Sequence, residues 1–152
     1  MYRQLSAGGY EPFFLVHSSH GDPEVIKEVR LLDESVRVIT PSNGLEAKKI
    51  INDCIGIIAG RYHAIVSALS QGVPAVAHSW SHKYGALLGD FAVSEGLADP
   101  MDAEGSVLLL DSLINDSEYA SLINSAKPEL LATIDRTWDR INSTLNAKDK
   151  HR

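Results

Sequence analysis

Short apolar runs alternate with amphipathic stretches along the first two thirds of the chain. Residues 12–17, Pro-Phe-Phe-Leu-Val-His, form one apolar run between Gly9 and Ser18-Ser19 and read as a buried strand. Asp22-Pro23 then has the form of an N-cap followed by proline in the first helical turn. Val25, Ile26, Val29 and Leu32 recur at helical spacing, so the pattern predicts a helix over 23–32. A second strand is expected over 35–40, broken by Pro41-Ser42. Asn43 with Glu46 three residues on resembles a capping box, and a helix through Ile50 and Ile51 follows from it.

The alternation continues with a third strand over 55–59 and a helix over 61–71, with Ile65, Val66, Ala68 and Leu69 inward. Gly72 closes that helix as a C-cap glycine would. A fourth strand over 73–77 and a helix over 83–91 complete the series. Strands that are apolar throughout and separated by helices imply a Rossmann-like α/β fold, a parallel sheet with helices on both faces. The last third reads differently. Helices are expected over 106–114 and 116–123, Pro128 interrupts, and Leu131, Ile134, Trp138, Ile141 and Leu145 then form one apolar stripe on a final helix. The chain therefore reads as a single α/β domain over 1–152, with a core over about 12–100, a helical tail over about 103–147 and a frayed polar end at 148–152.

Composition narrows the possibilities. Hydrophobic residues make up 44% of the 152 and charged residues 22%, as in ordinary soluble globular proteins. A net charge of −6 argues against a general nucleic-acid surface, so any anion must be held by a local cluster. A lone cysteine, Cys54, rules out an intrachain disulfide and fits a reducing compartment. With no apolar leader and no run long enough to span a bilayer, the expected location is cytoplasmic or peripheral to the inner face of a membrane.

Candidate chemistry falls at the carboxyl ends of the strands, where open parallel sheets bind ligands. Gly60-Arg61-Tyr62-His63 places a cation and an imidazole at the start of a predicted helix, whose end already carries partial positive charge and free N–H groups. Such a corner suits a phosphate or carboxylate. Arg61 and His63 converge only if Arg61 caps the helix and His63 lies in its first turn; otherwise they are a surface arginine and a half-buried histidine. Lys83, just past the fourth strand, is either a second cation for the same anion or a solvated lysine. His20 and Asp22 are expected to line the mouth of the sheet. The pairs His17/His20 and His78/His82 have helical or turn spacing, but no cysteine or carboxylate joins either at a known metal-site spacing, so no metal is expected.

The ordered set Asp53, Gly60-Arg61-Tyr62-His63-Ala64, Ala68-Leu69, Gly72-Val73-Pro74 and Lys83 resembles the C-terminal signature of the polysaccharide pyruvyl transferase family, over roughly residues 13–99. That resemblance implies one lobe of a two-lobed, glycosyltransferase-B-like enzyme. Such enzymes move pyruvate from phosphoenolpyruvate to a sugar hydroxyl of an exopolysaccharide or cell-surface polysaccharide intermediate. Phosphoenolpyruvate is the donor substrate and no cofactor is implied. On the same resemblance, Arg61 would hold the donor's phosphate or carboxylate, Lys83 would neutralise charge on the donor or the leaving phosphate, and His63 would move a proton or bind phosphate; Gly60 and His20 join them as substrate-binding candidates by their position at the strand ends.

Two departures stand out. The family carries an N-terminal lobe, and a strand ending in a ligand-binding arginine, ahead of the matching region; this chain shows neither. His82 also occupies a position that is usually small or acidic. The expectation is therefore a C-terminal fragment with an unpaired sheet edge, inactive alone, either a homo-oligomer or a chain missing its other lobe. Two other readings stay open. One is a nucleotide-sugar glycosyltransferase lobe, for which Glu95 is the available ribose ligand; the other is a non-catalytic anion-binding or oligomerisation module.

Overall fold

The computed structural model describes residues 1–17 and 21–149. His20 and residues 150–152 lie outside that range, as do the expectations placed on them. The elements run α1 (Tyr2–Ala7), β1 (Phe14–Leu15), α2 (Asp22–Leu32), β2 (Val38–Ile39), α3 (Gly44–Asn52), β3 (Ile57–Ala59) and α4 (Tyr62–Gln71). They continue with β4 (Ala75–His78), α5 (His82–Asp90), a 3₁₀ turn (Ser94–Gly96), β5 (Leu97–Ala98), α6 (Ala103–Ile114) and α7 (Ser117–Asp149). The expected α/β alternation is present, and every strand pair is parallel. Two of the three capping signals act as the sequence suggests; the third does not, because the N-cap of α2 is Gly21 and Asp22 is its first residue, with its carboxylate turned to the His17 N–H and Arg61. Asn43 accepts from the N–H groups of Leu45 and Glu46 at the start of α3, and Gly72 ends α4 at φ 86°.

The core is built around β4. Ala75, Val76 and Ala77 are completely buried, as are Ile65, Ala68 and Leu69 of α4. Both α4 and α6 pack on β4, whose alanines let the helices approach closely. Helix α6 also covers the start of β3, where a Cβ on Gly56 would lie 2.9 Å from Leu110 Cδ1. The first turns of α7 enter the same core, with Tyr119 and Ile123 fully buried.

Four further features differ from the sequence pattern. The strand β5 was not anticipated; at two residues it is too short to show a period. Pro128 does not interrupt the last helix, because α7 runs unbroken from Ser117 to Asp149. Pro128 and Asn124, whose carbonyl loses its helical donor, both lie exposed, so solvent can satisfy the orphaned oxygen. Residues 148 and 149 belong to α7 and are not a frayed end.

The fourth difference is that the parallel sheet comes in two pieces. One pairs β1 with β2, and the other has the order β3-β4-β5. Both β1 and β3 are only half-buried, although each is apolar. A groove of about 630 Å³ lies between them.

Candidate functional site

The carboxyl end of β3 runs through Gly60 into Arg61, which is extended at φ −98° and ψ 119° and serves as the N-cap of α4. Its side chain makes no capping bond to the opening N–H groups of α4. This meets the condition for convergence, since Tyr62 and His63 occupy the first turn. The Arg61 guanidinium forms an ion pair with Asp22 at the start of α2. Asp22 also accepts the His17 N–H at 2.9 Å, which ties the segment after β1 to the same corner. The expected placement of Asp22 at the mouth is therefore a direct contact with Arg61. At half exposure of the arginine this pair is screened, so its main effect is to aim the guanidinium.

Lys83 arrives from the start of α5. Its Nζ lies 5.3 Å from the ring centroids of both Tyr62 and Tyr84. The two rings meet edge to face, with centroids 5.5 Å apart and planes at 81°. An ammonium against two such faces is held electrostatically as well as by packing. Tyr84 is buried and donates its hydroxyl to the Gly60 carbonyl at 2.8 Å. Tyr62 also sets its ring edge-on to His63 at 6.0 Å. His63 and Lys83 thus both meet the ring of Tyr62, the residue next to Arg61, while the Arg61 guanidinium itself turns to Asp22. His63 and Lys83 are exposed to solvent.

The sequence pattern did not single out the Tyr62–Tyr84 pair. Its available signal was the adjacency of each tyrosine to a candidate residue, Tyr62 between Arg61 and His63, and Tyr84 after Lys83. His78, the last residue of β4, takes a different part from its proposed pairing with His82. Its Nε2 lies 2.6 Å from Ser106 Oγ. Ser106 is almost fully buried and gives its one proton to the Asp102 carbonyl at 2.7 Å. The hydroxyl can then only accept from His78, which fixes the Nε2–H tautomer. Burial pushes the His78 imidazole below its ordinary 6.5, against the opposing field of Asp99. Among the described residues, no group of three or more His, Cys, Asp or Glu is gathered to hold a metal ion.

Fold and site together define a Rossmann-like α/β unit with a cationic corner at the carboxyl ends of its strands. A sequence model of the polysaccharide pyruvyl transferase family matches residues 1–82, just over half of the chain. The chain belongs to that family, and its fold and transferase character are those of a polysaccharide pyruvyl transferase-like protein. The match takes in Asp53, Arg61, His63 and the Gly72-Val73-Pro74 turn, and ends just before Lys83. No curated protein and no solved structure matches this sequence significantly. Among the described residues, no helix is long and apolar enough to cross a membrane.

Proposed function

We propose that the Arg61–His63–Lys83 corner binds phosphoenolpyruvate as donor and takes part in transfer of its pyruvyl group to a hydroxyl of a sugar or lipid-linked saccharide. The observation that supports this reading is that Arg61 is the N-cap of α4 while the Lys83 ammonium lies against the ring of Tyr62 in the first turn of the same helix. A guanidinium matches the donor's carboxylate or phosphate with two parallel hydrogen bonds. The lysine ammonium, a compact charge, suits the phosphate that must leave. Addition of a sugar oxygen to the donor's C2 requires a proton at the methylene carbon, and His63 is an exposed imidazole at the corner that could deliver one. No cofactor is needed for this chemistry.

On this reading the chain supplies the donor half of a two-lobed site, and the acceptor is held elsewhere. Turnover by these 152 residues alone is then expected to be low. Thermal unfolding in the presence of ligands tests the assignment. Phosphoenolpyruvate should raise the midpoint, and Arg61→Ala should abolish that rise. Stabilisation by a nucleoside diphosphate in its place would favour a nucleotide-sugar transferase lobe. No response to either would leave a module without donor binding.

A further inference from the structure

The two halves of the sheet leave backbone groups facing each other across the groove. In a parallel ladder, alternate residues direct their N–H and C=O to opposite neighbours. Phe14 and Val16 donate to Arg37 and Ile39 of the β2 segment at 2.9 and 3.0 Å, so Leu15 between them points its backbone away from β2. Ile57 donates to Pro74 at 2.9 Å, beside β4, so Ile58 points its backbone away from β4. Leu15 and Ile58 both line the groove of about 630 Å³. Each flanking strand therefore presents a peptide edge to the same space, and each is half-buried where a central strand of such a sheet would be fully buried.

We propose that this groove accepts one extended, apolar strand from a polypeptide segment outside these 152 residues, parallel to β1 and β3. Insertion would join the two pieces into one six-stranded sheet of order β2-β1-X-β3-β4-β5, where X is the incoming strand. The lining selects its chemistry. Ile57, Ile58, Leu15 and Ile39 favour side chains that are apolar on both faces. Charge appears at the end where β1 and β3 begin, with Glu11 already paired to Arg37 and Asp53 exposed. A lysine or arginine just ahead of the apolar run complements Asp53. Main-chain bonds to both neighbours supply affinity, and the alternating pockets supply selectivity. The opposite end of the groove is bounded by Gly60 and His78, so a parallel strand delivers its carboxyl end beside the Arg61 corner. This inference does not rest on the donor assignment.

Met1, Tyr2 and Leu5 line the groove, so a strand fused ahead of Met1 through a flexible glycine–serine linker is held at high effective concentration. The test fuses a lysine and six Val/Ile residues in this way, with a control carrying prolines at two central positions. Amide hydrogen exchange is then followed at Leu15 and Ile58. The proposal expects exchange at both positions to slow on the order of a hundredfold in a fusion that also carries Trp138→Glu to keep it monomeric, and not in the proline control. No slowing, slowing at one edge alone, or equal slowing in the proline control would overturn it. Slowing at both positions in the unfused chain as its concentration rises would also overturn it, because the occupant would then be a second copy.

Discussion

The phenol of Tyr84 donates to the carbonyl oxygen of Gly60 across 2.8 Å and so ties the start of α5 to the turn before Arg61. Tyr84→Phe keeps the ring against Lys83 and Tyr62 but removes this bond. A loss of about 1 kcal/mol is expected, which lowers the unfolding midpoint by roughly 2–4 °C in a chain of this size. Calorimetry of the two proteins measures it. Unchanged midpoints would mean that the turn is held by packing alone.

His78 makes the fold sensitive to mild acid. Its folded value lies below the ordinary 6.5, so between the two values the unfolded chain binds the extra proton. The stabilisation is whole above about pH 6.5 and declines as the pH falls toward the folded value. Denaturant midpoints taken from pH 7.5 to 5 should therefore fall, and His78→Gln should flatten that part of the profile. An identical slope in the variant would assign the effect to other groups.

Gly96 sits where no side chain fits. A Cβ there would lie 2.7 Å from both the Ala75 carbonyl oxygen and Tyr119 Oη, and neither the strand nor the fully buried ring can easily give way. Gly96→Ala should cost about 2–3 kcal/mol, read from urea unfolding. Gly85, with nothing within 4 Å of its would-be Cβ, provides the control, and Gly85→Ala should be neutral or slightly stabilising.

The outer part of α7 predicts association. Leu131, Ile134, Trp138, Ile141 and Leu145 are all more than two-fifths exposed, and they follow one another at alternating steps of three and four. That is the spacing of a coiled-coil seam, which a second copy of the same helix can cover by two-fold symmetry. Light scattering at micromolar concentration should report a dimer, and Trp138→Glu should return a monomer. A monomeric parent chain would remove the idea.

Legibility in the sequence followed the range of each signal. The positions of α2, α3 and α4 could be read because their caps and apolar periods are local: Asn43 with Glu46, and Gly72 after Leu69. Pro128 misled because its penalty depends on whether the orphaned carbonyl meets solvent, which only tertiary placement decides. The corner was partly legible. Arg61 and His63 are neighbours in sequence, and the capping geometry that unites them could be stated in advance. Their joining to Lys83 depends on two tyrosines meeting edge to face from different helices, and no local pattern encodes that meeting. The split of the sheet escaped the pattern of alternation for the same reason, since alternation specifies strands but not which of them are neighbours.

The ion pair between Asp22 and Arg61 means that the guanidinium meets any incoming anion with a counter-ion already in place. On the proposed function, donor arrival would be an exchange in which its anion displaces the Asp22 carboxylate, and its affinity would be the difference between the two pairings. The displaced carboxylate belongs to the first turn of α2 and also holds the His17 amide. Occupancy of the corner would thereby bear on the His17 amide as well.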